Sequence, residues 1–157
     1  MYRKILVPLD GSKLSEHALS HLKKIARLSS ATKVVLLEVI EPIVTLYAGG
    51  TYASDMEHEM ENDAKAKAKS YLAKLEGRLK KQGVSTKSVV AVGSPEDIIL
   101  EYANQNKVDL IIMSTHGRSG VSRWFFGSVA EKIIRHSTIP VLVAPPVGSR
   151  LQQPKSD

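Results

Sequence analysis

A chain of 157 residues can build one sizeable core but hardly two, and 43% hydrophobic with 24% charged residues lies within the ordinary globular range, which excludes disorder outside the ends. No apolar run approaches the roughly 20 residues of a bilayer span. Met1 leads into a strand rather than a signal peptide, and there is no cysteine for disulfides, thiolate chemistry or metal ligation, so a cytoplasmic protein without a membrane partner is expected.

Lys4 to Val7 reads as a short buried strand. After Gly11-Ser12, Leu14, Ala18, Leu22 and Ile25 recur at helical spacing, and Val34 to Val39 returns to an unbroken strand run, which completes a βαβ unit. Residues 41 to 54 read as a polar, glycine-containing connection. Met56, Met60, Ala64, Tyr71, Leu75 and Leu79 then mark the inner stripe of a long helix that stops near Gly83. Val89 to Val92 is the third strand. Ser94-Pro95-Glu96-Asp97 supplies an N-cap, a proline at the first helical position and a capping-box acid for a helix carrying Ile98, Ile99, Tyr102 and Ala103, which yields near Asn106.

The fourth strand runs from Leu110 to Met113, the last helix carries Val129, Ala130, Ile133 and Ile134 on its inner face, and the last strand is Val141 to Val143. The alternation of strand and helix predicts a parallel sheet covered by helices. A single domain over residues 1–146 is expected, with a polar, frayed tail over 147–157.

Between Met113 and Val129 the chain reads Met-Ser-Thr-His-Gly-Arg-Ser-Gly-Val-Ser-Arg-Trp-Phe-Phe-Gly-Ser-Val. Gly117 and Gly127 lack a Cβ and let backbone amides approach an anion, while Ser128 with Glu131 three residues on has the capping-box pattern. A helix therefore starts where an anion would sit, with unpaired amides and the positive end of its dipole facing it.

These residues resemble the universal stress protein family, specifically its nucleotide-binding branch, and the resemblance covers nearly the whole chain. The family signature is Gly, two residues, Gly, nine residues, then Gly-Ser or Gly-Thr. Gly117, residues 118–126 and Gly127-Ser128 match its second half, whereas Ser114 stands where the first glycine belongs. Val7-Pro8-Leu9-Asp10, Val39 and Ile139-Pro140-Val141-Leu142-Val143 carry further likeness. The resemblance implies an open five-stranded parallel sheet of order 3-2-1-4-5 with helices on both faces, Rossmann-like. Its implied ligand is an adenine nucleotide, most plausibly ATP, with Mg or Mn bridging the phosphates. Pro8, Leu9, Asp10, Val39 and Met113 then fall at base and ribose, and Ser114, Gly117, Gly127, Ser128 and Val129 at the phosphates. The family's homodimers form through the last strand; here the apolar edge formed by Val141, Leu142 and Val143 gives a physical reason for pairing with its copy.

Taken residue by residue, the chemistry leaves alternatives open. Asp10 is an acceptor suited to a ribose hydroxyl, or a cap for the following helix. Val39 and Met113 offer apolar walls to a purine, or are core. Arg118 and Arg123 reach phosphate oxygens or solvent; His116 contacts ligand or orients backbone; Trp124-Phe125-Phe126 packs the loop onto the sheet end. His17 and His21 stand at i, i+4 without a third metal ligand. No nucleophile triad, P-loop lysine motif or dinucleotide glycine fingerprint occurs. The net charge of +6 favours anionic partners in general, but Lys65, Lys67, Lys69, Lys74, Lys80 and Lys81 form a solvated helix face and aromatics are sparse, which argues against nucleic acid. A nucleotide-binding regulatory or stress-response protein is the leading expectation. A dimeric scaffold that has lost the nucleotide and a slow ATP-hydrolysing enzyme are the alternatives.

Overall fold

The computed structural model describes residues 2–26, 31–42, 51–114 and 127–144. Five parallel strands, β1 (Lys4–Leu9), β2 (Lys33–Ile40), β3 (Ser85–Val92), β4 (Leu110–Ser114) and β5 (Val141–Ala144), form one sheet in the order β3-β2-β1-β4-β5. The helices are α1 (Ala18–Ala26), entered through a 3₁₀ turn at Ser15–His17, α2 (Thr51–Lys81), α3 (Pro95–Gln105) and α4 (Ser128–His136).

Strand pleating divides the apolar residues between two faces. Ile5, Val7 and Leu9 join Val34, Leu36 and Ile112 beneath Leu22 of α1 and Leu72, Leu75 and Leu79 of α2. Leu6 joins Val35, Leu37, Ile111 and Met113 beneath Ile99 and Ala103 of α3 and Ala130 and Ile133 of α4. The sheet is buried on both sides, which is why its central strands read as continuous apolar runs.

Local stops are built from backbone geometry. α2 ends where Gly83, at φ +80°, lets its own amide donate to the Lys80 carbonyl (2.9 Å) and the Val84 amide to the Leu79 carbonyl (3.1 Å), with Val84 buried against the core. β3 turns into α3 at Gly93, whose φ of +150° and 2.9 Å approach of an added Cβ to Ile98 both require glycine.

Several boundaries differ from the sequence expectation. β3 begins at Ser85, four residues before Val89, because this polar stretch lies on a sheet edge and pairs only with β2. α2 begins at Thr51, inside the stretch read as a connection. At 31 residues α2 is about 46 Å long, against about 26 Å for the eight residues of β2. Its first turns overhang the sheet, so Met56 and Met60 are 64% and 50% exposed rather than part of the inner stripe. Ile134 likewise faces out, at 41% exposure. The expected capping box at Ser128 does not form: Gly127 is the N-cap, Ser128 is the first helical residue, and Glu131 pairs instead with Arg135 at 2.8 Å.

Candidate functional site

All five strands point the same way, so their carboxyl ends share one edge, and β1 sits where the strand order reverses. The pairing there is unequal. β1 and β2 remain in register to Leu9↔Glu38, and β4 and β5 to Ser114↔Ala144, but β1 and β4 pair only at Ile5↔Leu110 and Leu6↔Ile111.

Pro8 explains the parting. The Lys33 amide donates to the Arg3 carbonyl (2.8 Å) and the Asp109 amide to the Lys4 carbonyl (2.9 Å), so odd positions of β1 address β2 and even positions address β4. Pro8 is even, and its missing N–H is subtracted from the β4 side. Backbone pairing between β1 and β4 therefore ends at Leu6.

The predicted residues fall around this edge as follows. Val39, Met113 and Val129 pack in the same apolar cluster on the α3/α4 face. Leu9 is buried in the opposite cluster, so it turns only backbone toward the α3/α4 side. Pro8 is buried, and Ser114 closes β4 at 8% exposure. The Asp10 carboxylate accepts from the Ser12 amide at 3.0 Å, closing a turn two residues on, while the helical entry that follows has Leu14 at its N-cap and no side-chain cap from it. Gly127 and Ser128 open α4, with Gly127 at the N-cap and no side-chain cap among the described residues. His116, Gly117, Arg118, Arg123 and Trp124-Phe125-Phe126 lie outside the described residues.

Beside this edge is a cleft of about 430 Å³ lined by Glu41 and Pro42 after β2, Gly93 to Glu96 at the β3–α3 turn, and Ser128, Val129 and Lys132 of α4. It takes in Ser128 and Val129 but neither Pro8, Leu9 nor Asp10. Two helix starts meet in it, and neither N-cap residue, Ser94 or Gly127, makes a side-chain cap hydrogen bond among the described residues. An ion pair between Lys132 and Glu96 straps α4 to α3. The hydrogen bond from Lys132 holds the Glu96 carboxyl below the usual range, and Glu96 in turn holds the ammonium up. Sequence reasoning missed Glu41, Gly93, Ser94, Glu96 and Lys132 as neighbours. The one available signal was the Gly-Ser pair, at 93–94 and 127–128 before α3 and α4, and it is not specific, since Gly11-Ser12 stands in the same way between β1 and the first helix.

On the other face, near the end of β2, Glu38 has Oε2 buried and without a hydrogen-bond partner among the described residues, and the buried Tyr71 hydroxyl of α2 lies beside the Ser15 hydroxyl, whose hydrogen bond opposes the rise in its pKa. Burial first, then the charge of Asp10, raises the Glu38 carboxyl. Burial, then Glu16, Glu38 and Asp10, push the Tyr71 hydroxyl up to about 12. Among the described residues, no three His, Asp or Glu side chains are grouped to hold a metal, His17 and His21 included. Nor is any described helix long and apolar enough to cross a membrane.

A parallel sheet of order 3-2-1-4-5 with helices on both faces defines a Rossmann-like α/β protein. The model of the universal stress protein family matches residues 1–145, and the chain belongs to that family. It is 34% identical over 154 residues to Universal stress protein MJ0577 of Methanocaldococcus jannaschii, covering 91% of this chain and 94% of that one. The solved structure of MJ0577 superposes with a TM-score of 0.80 at 34% identity, over 95% of this chain and 99% of its own. A universal stress protein solved in complex with cAMP superposes at 0.67 with 24% identity, over 92% and 98% of the two chains. An Arabidopsis thaliana family protein with AMP bound superposes at 0.65 with 22% identity, over 92% of each. The last two likenesses are of fold.

Proposed function

We propose that this chain is an ATP-binding universal stress protein of the cytoplasm, one domain over residues 1–146, acting as a regulatory or stress-response protein and dimerising through Val141, Leu142 and Val143. The observation that carries the reading is the end of β1–β4 pairing before Pro8, beside an α4 whose N-cap is Gly127, a residue without a capping side chain. Val39 and Met113 supply an apolar wall for the base on one face of the sheet, in the cluster that also holds Val129. Asp10 keeps a carboxylate at the ribose end, with Pro8 and the backbone of Leu9 beside it. Ser114, His116, Gly117, Arg118, Gly127, Ser128 and Val129 make the phosphate end. The AMP and cAMP bound by two fold neighbours support an adenine nucleotide as the ligand class. Any Mg²⁺ is held by the phosphates and water, in keeping with its usual coordination.

ATP with Mg²⁺ at about 100 times its Kd stabilises by about 2.7 kcal/mol, equivalent to about 5–10 °C in Tm for a chain of this size. Gly127→Val removes that protection. Gly127 sits at φ −56° and ψ 156°, which valine also adopts, so the variant folds and the loss is local. Mass spectrometry of the small molecule that copurifies identifies the nucleotide. Ser114, buried at the position of the family's first glycine, favours one second reading, a dimeric scaffold without nucleotide. The absence of both thermal protection and calorimetric binding with ATP, ADP or AMP would establish that reading in place of the first.

A further inference from the structure

α2 carries a face that the protomer leaves unused. Its inner stripe is Ala68, Leu72, Leu75 and Leu79, and diametrically opposite, at spacings of 4, 3 and 4, stand Ala66, Ser70, Ala73 and Gly77. Ala66, Ser70 and Ala73 are exposed. A Cβ built on Gly77 meets nothing within 4 Å, and its φ is not positive. Glycine is among the least favourable residues in a helix interior. Neither conformation nor crowding within the described residues calls for it here. A smooth outer strip lets another helix come close.

Charge is segregated along the same helix. From Asp55 to Asp63 every carboxylate-bearing or cationic position other than His58 is acidic, and from Lys65 to Lys81 all but Glu76 are basic. The helix dipole favours such an arrangement only within the first and last turns. Where the two halves meet, Glu61 pairs with Lys65 and Asp63 with Lys67 at i,i+4, whereas Glu59 and Lys74 lie well inside the helix, are exposed, and belong to no such pair among the described residues. Exposed Met56, near the acidic end, completes a face that is acidic and bulky at one end, basic and smooth at the other.

We infer that this face packs against α2 of a second copy, antiparallel, about a two-fold axis beside Ala66. The arrangement is self-complementary. With the axis there, Met56 meets Gly77 of the partner subunit and Glu59 meets Lys74 of the partner subunit, and each contact occurs twice. No other occupant is needed to answer both the charge pattern and the open glycine. One helix per protomer makes a small interface, so the association is concentration-dependent. It is independent of the proposed nucleotide crevice and of the last strand, since α2 packs on β2 and β3 while β5 is the opposite edge of the sheet.

Sedimentation velocity on the full chain over a concentration series, in low salt, tests it. The wild type associates by a factor of two in mass beyond whatever the last strand supports. Glu59→Lys and Lys74→Glu each abolish that step, and the double exchange restores it. Gly77→Leu abolishes the step while raising the melting temperature of the protomer, which a merely structural glycine would not do. No doubling in the wild type, or an unchanged doubling in Glu59→Lys and Gly77→Leu, overturns the inference; ATP protection is unaffected in either case.

Discussion

Glu38 shows how one side chain carries a cost that the fold tolerates. Its buried oxygen lacks a partner, its other oxygen lies 3.6 Å from where a Cβ on Gly11 would sit, and Asp10 adds like charge. Below the ordinary carboxyl value of 4.5 the group is protonated in both the folded and unfolded chain. As pH rises through its raised folded value, the folded state loses the stability that the neutral form gave it. Glu38→Gln keeps the shape and removes the charge. Thermal melts should show the variant ahead of wild type at pH 7, by no more than about 4 °C given partial solvent screening, with the gap closing as pH falls below 4.5. A gap independent of pH would mean that the carboxylate is not the cause.

Elements carry the next level, and the parting of β1 from β4 is the clearest case. Pro8→Ala returns an amide to the β4 side. The hydrogen bond it makes contributes about 0.5–1.5 kcal/mol, and loss of proline's restriction on the unfolded chain offsets about 0.4–1 kcal/mol, so melting temperature barely moves. The expected signals are a slowly exchanging amide at position 8 and weaker protection by ATP; rapid exchange there would show that the strands part for another reason. Strand interiors were legible because buried parallel strands are apolar throughout, as in Val34 to Leu37. Their ends were not: Ser85 to Ser88 owes its strand to pairing with β2, and nothing local announces a partner. The same limit misplaced Met56 and Met60, since helical period reports a face but not whether a sheet lies under it. Val39 and Met113 are placed together by the family resemblance, and both lie one residue from the end of a strand on the same face of the sheet. Glu96 and Lys132 could not be grouped from sequence, being 36 positions apart and joined only by the meeting of α3 and α4.

For the whole molecule, the exposed edge of the sheet at β5 decides assembly in the proposed function. Val141, Leu142 and Val143 are only partly buried in the protomer, although they pair with β4 along one side. Pairing the other side with a copy satisfies its backbone groups and covers apolar surface. Val143→Glu places two like charges across that axis, and light scattering should show the protomer mass at concentrations where wild type is dimeric. A retained dimer would put the interface elsewhere.

The sheet separates two independent apolar compartments, and every apolar residue assigned to the nucleotide wall belongs to only one of them. The far compartment can therefore change its outer helices, lengthening one or recruiting neighbours onto it, without retuning ligand affinity. Descendants of such a chain are free to diversify their associations while the small-molecule side stays as it is.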